Sequence, residues 1–121
     1  MAHILIVDDS PTEVHVLTSI LQKNGYEVST ASDGEKGIAA AQELKPDLVL
    51  MDVVMPGMNG FQATRHLAKD PATSSIPIII VTTKDQETDR VWGLRQGAKD
   101  YVTKPVAESD LMDKIKAVLG G

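Results

Sequence analysis

The sequence contains no cysteine, which excludes disulfide bonds and thiolate chemistry and fits a reducing compartment. No apolar run approaches the roughly 18 residues that a membrane-spanning helix needs. The first apolar stretch stops at Asp8, which argues against a signal peptide. Basic residues number 12 against 17 acidic ones, and the net charge of −5 offers no basic face for nucleic acid. These absences predict a soluble, cytoplasmic protein that binds neither nucleic acid nor membrane.

A length of 121 residues with 42% hydrophobic content favours a single domain, 1–121, with a substantial core and no separate output domain. Short apolar runs alternate with helix-length amphipathic segments, without repeats or low-complexity stretches. The predicted strands lie in ILIV, YEVSTA, PDLVLMD, IPIIIVTT and KDYVTKP. This alternation predicts an α/β fold, a doubly wound five-stranded parallel sheet with helices on both faces.

Short polar side chains mark where the predicted helices begin. Ser10 or Asp9 can cap the first helix, Asp33 the second, and Asp85 the helix before the last strand. Gly25 can end the first helix, because glycine readily adopts the left-handed conformation found there.

Polar side chains also follow the predicted strands. Asp8 and Asp9 end the first strand, Asp52 the third and Thr82 the fourth, and Lys104 follows the fifth. An acid in this position is often only a helix cap, but a cap does not need a second adjacent acid. Ligands of open α/β sheets bind outside the carboxyl ends of the strands. We therefore expect these side chains to form one site.

The residue types in this set suit phosphoryl transfer. Three carboxylates packed together repel, and their pKa values rise unless a cation lies among them. Mg²⁺ prefers such oxygen ligands, and Mg²⁺ with Lys104 would balance three negative charges. Asp52 is then the natural nucleophile for an aspartyl-phosphate, and the Thr82 hydroxyl can bond a phosphate oxygen.

The segments VDDS, LVLMDVVMPGMNG, IPIIIVTT and GAKDYVTKP resemble the receiver domains of two-component response regulators, the CheY-like superfamily, over essentially the whole chain. The resemblance implies a flavodoxin-like fold with Asp52 as phosphoacceptor. It implies Asp8, Asp9, Asp52 and the backbone carbonyl of Val54 as ligands of Mg²⁺, for which Mn²⁺ can substitute. It also implies a cis bond between Lys104 and Pro105. Such a domain catalyses only its own phosphorylation and slow dephosphorylation.

The resemblance assigns further residues to signalling. Thr82 and Lys104 match the phosphate-sensing pair, and Tyr101 matches the switch aromatic, which fills space that Thr82 vacates on phosphorylation. The implied readout face runs from Gln86 through Tyr101 to the last helix. Val54 and Lys84 match positions that flank the path of attacking water and set the phosphate lifetime.

Two residues of the fourth helix carry their own expectations. Gly93 predicts a locally soft element, because glycine disfavours helix interiors. Trp92, the single tryptophan, either docks a partner or packs against a neighbouring helix.

The segments NGFQATR, VTTKDQETDRVWGLRQGAKDY and TKPV resemble PilH-type stand-alone receivers of chemotaxis-like systems that govern type IV pili and twitching motility. This implies a CheA-like histidine kinase, or its phosphotransfer domain, as the phosphodonor partner, and output through protein contacts with an unidentified target. The sign of the response stays open between a signal carrier and a phosphate sink for a shared kinase in another chemosensory pathway.

Other classes fit less well. A haloacid dehalogenase-type phosphatase, also Mg²⁺-dependent, carries its second aspartate two residues after the nucleophile, whereas Asp8 and Asp9 are adjacent. A flavin mononucleotide binder needs hydroxyl- and glycine-rich phosphate loops, which DDSPTE is not. An inert scaffold leaves the acids unexplained. His3, His15 and His66 lie on different predicted elements and are interpreted as surface or packing residues.

Overall fold

The structure, a computed structural model, describes residues 1–120, which form five strands alternating with five helices. The elements are β1 His3–Val7, α1 Pro11–Lys23, β2 Glu27–Ala31, α2 Gly34–Leu44, β3 Leu48–Met51, α3 Gly60–Lys69, β4 Ile78–Thr82, α4 Glu87–Arg95, β5 Asp100–Thr103 and α5 Glu108–Leu119. The predicted order of elements is confirmed.

The strands form one parallel sheet in the order β2-β1-β3-β4-β5. The order changes direction between β1 and β3, so the crossovers run to opposite faces of the sheet there. One core cluster joins α1 and α5 to the sheet through Leu17 and Leu111, and a second joins α2 and α3 through Ile38 and Leu67. Helices therefore cover both faces, which confirms the predicted doubly wound fold.

The central strands are apolar along their length because both of their faces are covered. Ile4 and Ile6 of β1 point into the first cluster, whereas Leu5 and Val7 point into the second. The edge strand β2 contains no buried residue, which explains its weaker pattern. Within residues 1–120, no helix combines the length and apolar character needed to cross a membrane.

The helix starts agree with the sequence interpretation in two of three cases. The Ser10 hydroxyl accepts the Glu13 N–H, and the Asp33 carboxylate accepts the Lys36 N–H. The prediction for Asp85 is wrong, because Gln86 is the N-cap of α4. The Asp89 carboxylate accepts the Gln86 N–H at 3.3 Å, which closes the first turn one residue later than expected.

Candidate functional site

Three carboxylates lie together at the carboxyl edge of the sheet. β1 and β3 are adjacent, with Val7 opposite Met51, so the residues after each strand emerge side by side. Within residues 1–120, one carboxylate oxygen from each of Asp8, Asp9 and Asp52 lies within 4.8 Å of the other two. Asp8 and Asp52 are buried and Asp9 is exposed. The cluster therefore opens to solvent on the Asp9 side.

The backbone around Asp52 holds its carboxylate in place. The Asp52 N–H donates to the Val7 carbonyl at 2.9 Å, and the Val53 N–H donates to Asp52 Oδ1 at 2.8 Å. The Gly60 N–H, at the start of α3, donates to the Val53 carbonyl at 3.0 Å. A Cβ at position 60 would overlap the Asp52 carbonyl oxygen, so the close approach of α3 to this loop requires glycine.

Lys104 places a buried ammonium among these acids. Its Nζ donates to Asp8 Oδ2 at 2.8 Å and lies 3.7 Å from Asp52 Oδ2 and 3.8 Å from Glu13 Oε2. Its side chain is 7% exposed. The bond from Lys104 to Pro105 is cis, as the resemblance implies. One cation is therefore shared by three carboxylates.

Burial and charge shift the protonation of the site. Burial raises the pKa of Asp52, and the Asp8 charge adds to the rise, while the Lys104 ammonium and the Val53 N–H oppose it. Burial alone would lower the pKa of Lys104, but the hydrogen bond to Asp8 and the neighbouring carboxylate charges outweigh burial and raise it. Lys104 is therefore charged at neutral pH, and the acids around it outnumber it.

The donor set fits a hard divalent cation. Asp8, Asp9 and Asp52 offer carboxylate oxygens at mutual distances that one ion can bridge. Mg²⁺ takes oxygen ligands and is commonly held by one or two carboxylates together with water and phosphate oxygens. Val54 lies two residues after Asp52 and is 56% exposed. The three carboxylates are the groups that would hold the ion.

The side chains of Thr82 and Tyr101 both contact the loop that follows β4. Thr82 is fully buried, its hydroxyl accepts the Lys84 N–H at 3.3 Å, and its presence lowers the pKa of Asp52, against the larger effect of burial. The Tyr101 hydroxyl donates to the Lys84 carbonyl at 2.7 Å. Burial, followed by the charges of Asp89, Asp85 and Asp52, raises the pKa of Tyr101 to about 12.

The Tyr101 ring is buried in a cluster with Val53 and Ile80. Tyr101 and Thr82 both contact the backbone of Lys84, so this residue joins the two expected switch side chains.

Val54, Lys84 and Trp92 line an open cavity of about 420 Å³, together with Val53, the residue that follows Asp52. Trp92 is 51% exposed, so packing occupies only part of its surface. Phe61 of α3 also lines this cavity. The two expected lifetime residues and the tryptophan therefore share one surface, on the α3 side of α4.

The histidines lie away from the carboxylates. The metal-competent group among residues 1–120 contains only aspartates. His3 Nε2 lies 2.7 Å from the Ser29 hydroxyl, and His15 and His66 are exposed.

Sequence reasoning missed two residues of the site. The Ser10 N–H donates to Asp8 Oδ1 at 2.9 Å, and the Glu13 carboxylate approaches Lys104. Their position in the sequence could have identified them. Both lie at the start of α1, directly after the strand that ends in Asp8 and Asp9.

The sequence matches a known protein family and several of its members. The family model described as response regulator receiver domain matches residues 4–116. The chain is 65% identical to the protein PilH of Pseudomonas aeruginosa over 121 residues, covering 100% of both chains. It is also 43% identical to the response regulator PleD of Caulobacter vibrioides, covering 97% of this chain but 26% of PleD.

Solved structures show the same architecture. The chemotaxis protein CheY4 of Vibrio cholerae superposes with a TM-score of 0.91 at 34% identity, covering 98% of this chain and 99% of CheY4. The receiver domain of a sensor histidine kinase from Pseudomonas aeruginosa superposes with a TM-score of 0.91 at 30% identity, covering 99% and 98% of the two chains. That structure has a magnesium ion coordinated in its active-site cleft.

Proposed function

This chain belongs to the family of response regulator receiver domains, and we propose that it accepts a phosphoryl group on Asp52 and signals through contacts with other proteins. The observation that carries the proposal is the buried Asp52 carboxylate, whose Oδ2 lies 3.7 Å from Lys104 Nζ and which is grouped with Asp8 and Asp9 within 4.8 Å. A receiver domain is a signalling module of two-component systems.

The chemistry follows from the side chains present. A carboxylate oxygen of Asp52 attacks the phosphorus of a phosphohistidine, the phosphorus–nitrogen bond breaks, and the imidazole leaves and takes up a proton. Lys104 stabilises the negative charge on the phosphoryl oxygens, and the Thr82 hydroxyl donates to one of them. The backbone bonds that fix Asp52 hold the nucleophile in place.

Asp8, Asp9 and Asp52, with the Val54 carbonyl as a further ligand, would hold Mg²⁺, which would supply charge neutralisation at the phosphoryl oxygens. Mn²⁺, which also takes oxygen ligands, can substitute. The magnesium in the related sensor-kinase receiver domain supports this assignment.

The partner and pathway follow from similarity. Identity of 65% to PilH over the full chain supports a role in chemotaxis-like control of type IV pili and twitching motility, in the cytoplasm. The phosphodonor is then a CheA-like histidine kinase or its phosphotransfer domain. Phosphorylation draws Thr82 and Lys104 toward Asp52, and the change reaches α4 and β5 through Lys84 and Tyr101.

Incubation with Mg²⁺ and acetyl phosphate, followed by intact-mass measurement, tests the phosphoacceptor. The protein should gain one phosphoryl group, and Asp52→Asn should abolish the gain. Asp113→Asn, at an exposed position on α5, is the matched control and should leave it unchanged. An equal mass gain in Asp52→Asn would refute the assignment.

The switch has its own test. Beryllofluoride with Mg²⁺ should change the NMR chemical shifts of residues 82–104. Changes confined to the loops that carry Asp8, Asp9 and Asp52 would contradict the proposed route to α4 and β5.

A further inference from the structure

Glu13 reaches the site from the first turn of α1. Its Oε2 lies 3.8 Å from Lys104 Nζ, and its side chain is 32% exposed against 7% for Lys104. The Glu13 charge is among the influences that raise the pKa of Lys104. Within residues 1–120, the metal-competent group is Asp8, Asp9 and Asp52 and does not include Glu13. Its carboxylate therefore contacts the ammonium without belonging to the predicted cation ligands.

Local sequence alone would give Glu13 a different role. Residues 10–13 match the S-x-x-E pattern, in which the glutamate accepts the N–H of the capping serine. Here half of that arrangement forms, because the Ser10 hydroxyl accepts the Glu13 N–H at 3.3 Å. The Ser10 N–H instead donates to Asp8 Oδ1 at 2.9 Å. The Glu13 side chain is thereby left to turn toward Lys104.

The contrast with α3 shows that the complete arrangement is available to this fold. There the Asn59 side chain accepts the Gln62 N–H at 2.9 Å, and the Gln62 side chain accepts the Asn59 N–H at 3.0 Å. The departure in α1 occurs at the helix whose N-terminus adjoins the carboxylate cluster.

We propose that Glu13 is a positioning residue that competes with the phosphoryl group on Asp52 for the Lys104 ammonium. The inference rests on the proposed function, because it requires that Asp52 carries the phosphoryl group. A cation held by Asp8 would compete with Lys104 for the Asp8 carboxylate, which accepts the 2.8 Å hydrogen bond of the ammonium. The Lys104 ammonium then has two competing partners. One is the phosphoryl group on Asp52, and the other is the Glu13 carboxylate.

Two substitutions separate contact from charge. Glu13→Gln removes the charge, whereas Glu13→Asp keeps it but withdraws the carboxylate from Lys104 by about 1.5 Å, one carbon–carbon bond. The readout is the dissociation constant of beryllofluoride, measured by titration calorimetry at an Mg²⁺ concentration that saturates each variant. Both variants should bind beryllofluoride about threefold more tightly, the scale of a partly exposed ion pair.

Glu35→Gln is the matched control, because it removes an exposed acid from the first turn of α2 without a contact to Lys104. Its beryllofluoride affinity should equal that of the natural sequence. Titration with Mg²⁺ alone gives a second readout, in which Glu13→Asp should match the natural sequence.

The outcomes are decisive. Tighter beryllofluoride binding in both Glu13 variants supports the inference. Unchanged or weaker beryllofluoride binding in the Glu13 variants overturns it. Tighter binding in Glu13→Gln alone also overturns it, because the effect would then come from the charge of Glu13 and not from its contact with Lys104. A tenfold loss of Mg²⁺ affinity in Glu13→Asp also overturns it by making Glu13 a cation ligand. Failure of the natural sequence to bind beryllofluoride would overturn the proposed function and this inference together.

Discussion

At the scale of single residues, burial of the Asp52 carboxylate has a cost in stability at neutral pH. Burial raises its pKa, which means that its charged form is less favourable in the folded chain than in the unfolded one. Stability from such a group is fully present below the unfolded pKa and is lost as pH rises through the folded pKa.

Asp52→Asn should therefore raise the melting temperature at neutral pH in the presence of a chelator, because asparagine carries no buried charge. The gain should shrink as pH falls through the Asp52 pKa, where the natural side chain is protonated as well. Thermal melts across acidic to neutral pH check this, with Asp113→Asn as the exposed control. A lower melting temperature at neutral pH would show that attraction to Lys104 outweighs burial.

We propose that individual side chains also set the lifetime of the phosphoryl group. The Val54 side chain has no polar group to orient water. Lys84 has no carboxylate to act as a base, although its side chain can pair with a phosphate oxygen. Both line the same cavity as Val53, the residue that follows Asp52. We expect self-dephosphorylation to be slow and to be faster in the double variant Val54→Asn, Lys84→Glu.

Decay of radiolabelled phosphoprotein, with free kinase and donor removed, measures this lifetime. Slow decay favours a signal carrier, or a phosphate sink that needs a separate phosphatase. Rapid decay of the natural sequence that the double variant leaves unchanged would show that these side chains do not control the water, and would favour the sink.

At the scale of elements, the structure gives α4 a packing requirement that composition alone did not indicate. Gly93 is buried, and a Cβ there would lie 2.8 Å from Ile80 Cδ1 and 3.2 Å from the Tyr101 ring. The glycine interpreted as a sign of softness thus also lets α4 lie close to β4 and β5.

Gly93→Leu should destabilise the protein by about 1–3 kcal/mol, the usual cost of overpacking a core. Val91→Leu, at an exposed position on the same helix, should change stability by less than about 0.5 kcal/mol. Urea denaturation followed by circular dichroism compares the two. Equal stabilities for both variants would mean that α4 can move away from the sheet at little cost.

The helices and strands also show which structural features could be predicted from the sequence and which could not. β1, β3 and β4 were predictable because strands covered on both faces are continuously apolar, and strand ends located Asp8 and Asp52. The cap at Asp85 was wrong because the Asp89 carboxylate, one turn later, reaches the Gln86 N–H. The direction of Glu13 was not predictable, because it depends on which acceptor the Ser10 N–H finds.

At the scale of the whole molecule, we expect the acidic cluster to link folding to divalent cations. A ligand that binds only the folded state stabilises it by about 2.7 kcal/mol at a concentration of 100 times its dissociation constant. Mg²⁺ should therefore raise the melting temperature of the natural protein.

Asp9→Ala should abolish most of that rise, because it removes one of the three carboxylates. Without metal, its melting temperature should equal or exceed that of the natural protein, since the loss of an exposed acid relieves repulsion. Thermal melts with Mg²⁺ and with chelator test both parts. A large drop in the chelated variant would assign Asp9 a role in holding the fold.

The strand order β2-β1-β3-β4-β5 has a consequence for the newly made chain. Synthesis proceeds from the N-terminus, so β1, β2 and β3, with Asp8, Asp9 and Asp52, leave the ribosome before Lys104 is made. A nascent chain that pairs these first three strands gathers its acids before their internal counter-ion exists. We therefore expect divalent cations in the surrounding solution to favour pairing of these three strands before β5 is made.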